Sequence, residues 1–272
     1  MKTTMALAAA GLFIALSCCC DKGEKVESKI HHAGEQTLDM ASALQRLKDK
    51  KIYFGHQSVG YNIVDGIRDV LADNPSIRMN VVESDSPTVF RGGVFAHSRN
   101  GKNMDPKSKI DAFVHSMENG IGVKADIAFF KFCYVDVLQH ADANALFDYY
   151  TSAMSRLEKK YPHTLFVHVT VPLSVKPSGA RGFVKKIIGR DHNIKRNQFN
   201  DLLRRKYPAA RVYDLAAIES TYPDGRHECA MRGGRCIYAL ATLYTYDDGH
   251  LNETGRKIAA ARLLAFLSSA AD

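Results

Sequence analysis

From residue 39 to the end of the chain, short apolar runs of strand length alternate with segments whose apolar residues recur at helical spacing. This alternation restricts the fold more than any other feature. Lys51-Ile-Tyr-Phe54 reads as a strand ending at Gly55, and Ile63, Ile67, Val70 and Leu71 mark a helix that stops near Asn74-Pro75. Further strands are expected over residues 79–83, 126–133, 164–171 and 210–215, with helices over 40–47, 110–117, 143–160, 195–207 and 253–268. Residues 84–103, rich in Gly, Ser and polar side chains, read as one long functional loop. Strands alternating with helices imply a single α/β domain, a parallel sheet of about five strands covered on both faces in three layers, α/β/α. Ligands of such a sheet bind at the carboxyl ends of its strands, so the loops there are where chemistry is expected.

Two segments at that edge carry reactive residues. The first turn, Gly55-His56-Gln57-Ser58-Val59-Gly60, puts a serine just beyond a strand and at the start of a helix. There a hydroxyl is accessible, and the helix N-terminal N–H groups favour an anion beside it; a plain helix cap is the alternative. The second segment, Asp247-Asp248-Gly249-His250, leads straight into the last helix. A serine needs a base to become nucleophilic, and an imidazole needs a carboxylate to fix its tautomer.

The serine after the first strand together with Asp-x-x-His before the C-terminal helix resembles the SGNH/GDSL hydrolase family, over roughly residues 51–272. That resemblance implies a flavodoxin-like sheet, with Ser58 as nucleophile, His250 as general base and Asp247 as orienting carboxylate, Asp248 being its competitor. The usual Gly-Asp-Ser is replaced by His56-Gln57-Ser58, and the usual Gly-x-Asn-Asp of the third block by Lys131-Phe-Cys-Tyr-Val-Asp136. The amide donor of the oxyanion hole is therefore missing from its usual place. The Ser58 N–H, a backbone N–H at Gly92 or Gly93, and a side-chain amide from Asn100 or Asn103 are the candidate donors. Asp136 matches the final Asp of the block. Lys131 either faces the substrate or pairs with Asp136, and His56 and His97 are candidate substrate contacts.

The N-terminus combines a charged start at Met1-Lys2, a short apolar stretch from Ala6 to Leu16, and Ser17 before three cysteines. It is too short for a membrane span and reads as a lipoprotein-type signal over residues 1–18, with Cys18 lipidated and Cys19 its rival; cleavage without a lipid is the alternative. Residues 19–38 read as a flexible tether and 39–272 as the domain. Cys229 and Cys236, six residues between them, suggest a loop-closing disulfide, with a zinc pair as alternative, and Cys133 a buried thiol. The net charge of +8 is spread along the chain, with local groups such as Lys185-Lys186, and accompanies no nucleic-acid motif. No metal cluster and no cofactor are indicated. The partners expected are an ester substrate, small or glycan-borne, and the membrane through the lipid. The chain thus reads as an exported bacterial envelope esterase. A polysaccharide O-acetyltransferase and a non-catalytic surface binding protein are the rival readings.

Overall fold

A computed structural model describes residues 39–176 and 192–271. The signal segment, the tether, Cys18, and the basic pair Lys185-Lys186 lie outside them. Asp39 caps the first helix, α1 (Met40–Leu47), by accepting the Ser42 N–H at 3.1 Å. Six parallel strands follow: β1 (Lys51–His56), β2 (Val81–Glu83), β3 (Val94–Arg99), β4 (Ile127–Phe130), β5 (Leu165–Val169) and β6 (Val212–Tyr213). Their order in the sheet is β2-β3-β1-β4-β5-β6. β1, central and flanked by β3 and β4, delivers its carboxyl end to the middle of the sheet edge.

Alternation along the strands divides the core in two. Ile52 and Phe54 of β1, with Phe95, Phe129 and Val167, face α1, α2 (Val59–Ala72) and the C-terminal helix. Tyr53, with Ala96, Phe130 and Phe166, faces α3 (Pro106–Ser116), α4 (Ala143–Lys160) and α5 (Asn193–Lys206). This is the three-layer arrangement that the βα alternation predicts. A short helix, α6 (Leu215–Ser220), follows β6, and the last helix, α7 (Glu253–Ala270), packs along α2.

The contact between α2 and α7 brings the two ends of the chain's chemistry together. Arg256 and Asp69 bridge these helices at 2.7 Å, but both are partly solvated, which limits the pair to about 1 kcal/mol. Ile63, Ile67, Leu263 and Leu264 are buried in the same core, and each buried aliphatic side chain contributes about 1.5–3 kcal/mol. Apolar packing therefore fixes the helix pair.

Two elements differ from expectation. The segment taken for one long loop contains β3, paired on both sides in the sheet. Its polar residues hide it from periodicity, yet they find partners inside: Ser98 Oγ meets Tyr53 Oη at 2.8 Å and His97 Nδ1 meets His56 Nε2 at 3.0 Å, while His97 Nε2 and His56 Nδ1 are buried without a hydrogen-bond partner. Six strands rather than about five result. The glycine-rich cysteine loop is a hairpin, β7 (Cys229–Arg232) and β8 (Arg235–Tyr238), joined by Cys229–Cys236. Gly233 and Gly234 at its tip both have positive φ, 52° and 75°, as a two-residue hairpin turn requires.

Candidate active site

Ser58 stands between β1 and α2 with φ 55° and ψ −118°, a conformation costly for a residue with a Cβ. Its position is that of a helix cap, yet its side chain makes no capping bond. Instead Oγ lies 2.6 Å from His250 Nε2. The turn is held from both sides. Gln57 donates its amide to the carbonyls of Asn100 (3.2 Å) and Gly101, and Gly60 N–H returns to the Gln57 carbonyl at 3.0 Å. Gly60 has to be glycine, because a Cβ there would lie 2.3 Å from that of His56.

His250 Nδ1 lies 2.6 Å from Asp247 Oδ2. Burial works to raise the Asp247 pKa, but the backbone N–H and imidazole of His250 and the Gly249 N–H outweigh it and hold the carboxyl below its ordinary value. An ionised carboxylate only accepts, so Nδ1 carries the proton and Nε2 is left to accept from Ser58. Asp248 takes no part; it sits at φ 73°, and its carbonyl accepts the Val175 N–H at 3.0 Å. Leu251 N–H donates to Asn62 Oδ1 at 3.1 Å, clamping the histidine loop onto the first turns of α2. The Tyr134 ring edge meets the imidazole (centroids 5.7 Å apart), while Tyr246 lies parallel to it at 6.3 Å and is 68 % exposed. Asn62, Tyr134 and Tyr246 were not singled out from sequence; Asn62, one helical turn beyond Ser58, is the one whose spacing could have marked it.

A serine at the end of the central strand, meeting a histidine from the turn before the last helix of a parallel sheet, decides the architecture. This is the layout that the resemblance to SGNH/GDSL hydrolases implies. No family model matches the sequence, and no curated protein does. Solved structures similar to it include a Bacteroides fragilis protein described as a candidate acylhydrolase, with 14 % identity, TM-score 0.46, and coverage of 87 % of this chain and 95 % of that one. An acetyl xylan esterase has 16 % identity, TM-score 0.43, and coverage of 78 % and 96 %. A Desulfitobacterium hafniense protein described as a candidate lipolytic G-D-S-L protein has 9 % identity, TM-score 0.42, and coverage of 80 % and 99 %.

Within this parallel-sheet fold, several residues named from sequence are placed elsewhere than expected. Gly92 and Gly93 precede β3, where Val94 pairs with Lys51 at the amino end of β1. They stand a strand length, about 20 Å, from the reactive edge and offer no donor there. Asn100 is buried with its amide spent on the Lys109 carbonyl at 2.9 Å. His56 and His97 are buried against each other, so neither is a substrate contact. Burial first, then the Lys131 and His97 charges, depress the His56 pKa to about 2, so it stays neutral.

Lys131 neither faces the crevice nor pairs with Asp136. It is fully buried, its ammonium donating to the Phe132 carbonyl at 3.1 Å, and burial lowers its pKa. Asp136 is not a substrate ligand either: it accepts the N–H groups of Cys133 (2.6 Å) and Met104 (2.9 Å) and pairs with Lys109 (2.7 Å). Cys133 is a buried free thiol.

Behind the histidine loop, Glu219 of α6 is fully buried and accepts the Leu173 N–H. The stretch beginning at Leu173 carries Val175, which binds the Asp248 carbonyl. Burial raises the Glu219 pKa to about 8, against the lowering effects of the Leu173 N–H, Lys131 and Arg196. Since its ordinary value is 4.5, folding takes up a proton between about pH 4.5 and 8. The stabilisation is complete below pH 4.5 and is lost as pH rises through about 8. Glu219→Gln keeps an acceptor for Leu173 but cannot ionise. Its melting temperature, relative to wild type, is expected to climb by a few degrees from about pH 5 to about pH 8.5. A difference that stays constant over that range would contradict this assignment.

Proposed function

We propose that the chain is a serine esterase acting by acyl transfer to water, with Ser58 as nucleophile, His250 as general base and Asp247 as its orienting carboxylate. The continuous hydrogen-bonded line Ser58 Oγ, His250 Nε2, His250 Nδ1, Asp247 Oδ2 carries this reading, with 2.6 Å at both contacts. The Ser58 Oγ–H proton passes to Nε2 as Oγ bonds to the ester carbonyl carbon. The tetrahedral oxyanion is received by N–H donors that include the Ser58 backbone at the mouth of α2. The imidazolium then protonates the leaving alcohol as the C–O bond breaks, leaving an acyl-serine. Water, deprotonated by His250, attacks the acyl carbon and releases the acid, and the proton returns to Ser58.

A lipoprotein-type N-terminus, with Cys18 lipidated, would hold this domain at the outer face of a bacterial envelope membrane. Export and anchoring support an acylated glycan or similar small ester as substrate. The exposed ring of Tyr246 beside His250 supports it too, since it offers a flat apolar face to a sugar. A sugar hydroxyl can capture the same acyl-serine in place of water, which would make the enzyme a polysaccharide O-acetyltransferase.

Incubation of the purified domain with O-acetylated oligosaccharides and with long-chain acyl esters tests the reading. Free acetate released faster than long-chain acid is the expected result. Acetyl transfer to added glycan without free acetate would assign the transferase, and no turnover of any ester would overturn the enzyme.

A further inference from the structure

The replaced third block, residues 131–136, holds no asparagine to supply the usual side-chain amide of the oxyanion hole, and its Cys133 and Asp136 are buried and turned to backbone and lysine partners. A buried lysine on α3 organises a substitute. Lys109 is fully buried, and its ammonium has three N–H donors. They meet Asp136 Oδ2 at 2.7 Å, Asn103 Oδ1 at 2.9 Å and Cys133 Sγ at 3.0 Å. All three donors are used. An ammonium cannot accept a hydrogen bond, so the Asn103 atom facing it is the carbonyl oxygen and the amide Nδ2 is turned away from it. Asn103 lies on the exposed side of the loop that follows β3. Nδ2 has no protein acceptor among the described residues.

The same ion pair fixes this loop against the nucleophile turn. Asp136 accepts the N–H groups of Met104 and Cys133, and the Cys133 thiol donates to the Gln57 carbonyl at 3.6 Å. On the other side the Gln57 amide grips the carbonyls of Asn100 and Gly101. Residues 100–104 are therefore fastened to the residue immediately before Ser58, with Asn103 two residues beyond the Gly101 anchor.

We infer that Asn103 donates its Nδ2–H to the oxyanion formed at Ser58, and that Lys109, neutralised by Asp136, is the positioning residue that turns this amide toward it. The inference rests on Ser58 being the nucleophile. Asn103→Asp is the decisive variant, because its carboxylate keeps the Lys109 contact while removing the donor. In steady-state hydrolysis of an activated acetyl ester, Asn103→Asp and Asn103→Ala are expected to lower kcat by about 10²–10³-fold, with KM changed less than about twofold. Inhibition by a trifluoromethyl ketone, whose serine adduct bears an oxyanion, is expected to weaken in parallel. Retention of kcat within about threefold in either variant overturns the assignment of Asn103.

Lys109→Met is expected to lower kcat in the wild-type background and to add less than about threefold in the Asn103→Ala background, as coupling through Asn103 requires. An equal loss in both backgrounds would give Lys109 a merely structural role. If Lys109→Met does not fold, Lys109→Gln/Asp136→Asn, which has no unpaired buried charge, provides the same comparison. Wild-type protein that neither hydrolyses the ester nor reacts with a fluorophosphonate would instead remove the reading on which this inference stands.

Discussion

Ser58→Ala is expected to lower kcat for ester hydrolysis by about 10⁶-fold, to near the background rate, while the melting temperature stays within a few degrees of wild type. The loss is this large because the variant has no atom with which to form the acyl intermediate. The fold is expected to survive because the Ser58 hydroxyl does not cap α2; its partner is His250. The replacement also keeps a Cβ in the same left-handed conformation, leaving the backbone strain as it is. Turnover of an ester by Ser58→Ala at more than about 1 % of the wild-type rate would remove Ser58 from the reaction.

Asp247→Asn is expected to cost about 10⁴-fold in kcat, whereas Asp248→Asn remains within about threefold of wild type. An asparagine at 247 can present its amide N–H to Nδ1 and so favour the wrong tautomer, with the proton on Nε2, where the Ser58 hydroxyl must be accepted. The asparagine carbonyl still accepts the His250 and Gly249 N–H groups, so the loop keeps its shape and the loss falls on the tautomer. Asp248 meets the rest of the molecule through its backbone carbonyl, and its side chain is free to change. Steady-state kinetics on the two variants, beside circular dichroism, separate the neighbours. A larger loss at 248 than at 247 would reverse the assignment.

The three residues of the proposed triad stood out in the sequence because each belongs to a local signal: a serine at a strand-to-helix turn, and an Asp-x-x-His turn before a helix. What no local signal carries is that α2 and α7 pack side by side, and it is this packing that brings Ser58 and His250, 192 residues apart, to 2.6 Å. The alternation of strands and helices also foretold the layers. It failed at β3, where His97 and Ser98 look like loop residues but find partners in Tyr53 and His56 across the central strand.

That single omission misplaced Gly92 and Gly93, since reading a strand as loop allowed its amino end to reach the carboxyl edge. Lys131 and Lys109 show the same limit in another form. Lys131 lies close to Asp136 in sequence and was a natural partner for it. The ion pair goes instead to Lys109, which arrives from a different helix and is invisible to spacing arguments. Buried charge pairs are properties of tertiary structure, and this one joins α3 to the segment after β4.

The central claim, that Ser58 is activated by His250, is tested most directly by labelling the purified domain with a fluorophosphonate probe beside Ser58→Ala and His250→Ala. The account predicts one equivalent of label on Ser58 of the wild type, none on Ser58→Ala, and labelling slowed by about 10³-fold or more in His250→Ala. A folded wild type that takes no label, or a Ser58→Ala variant labelled as fast as the wild type, would contradict it.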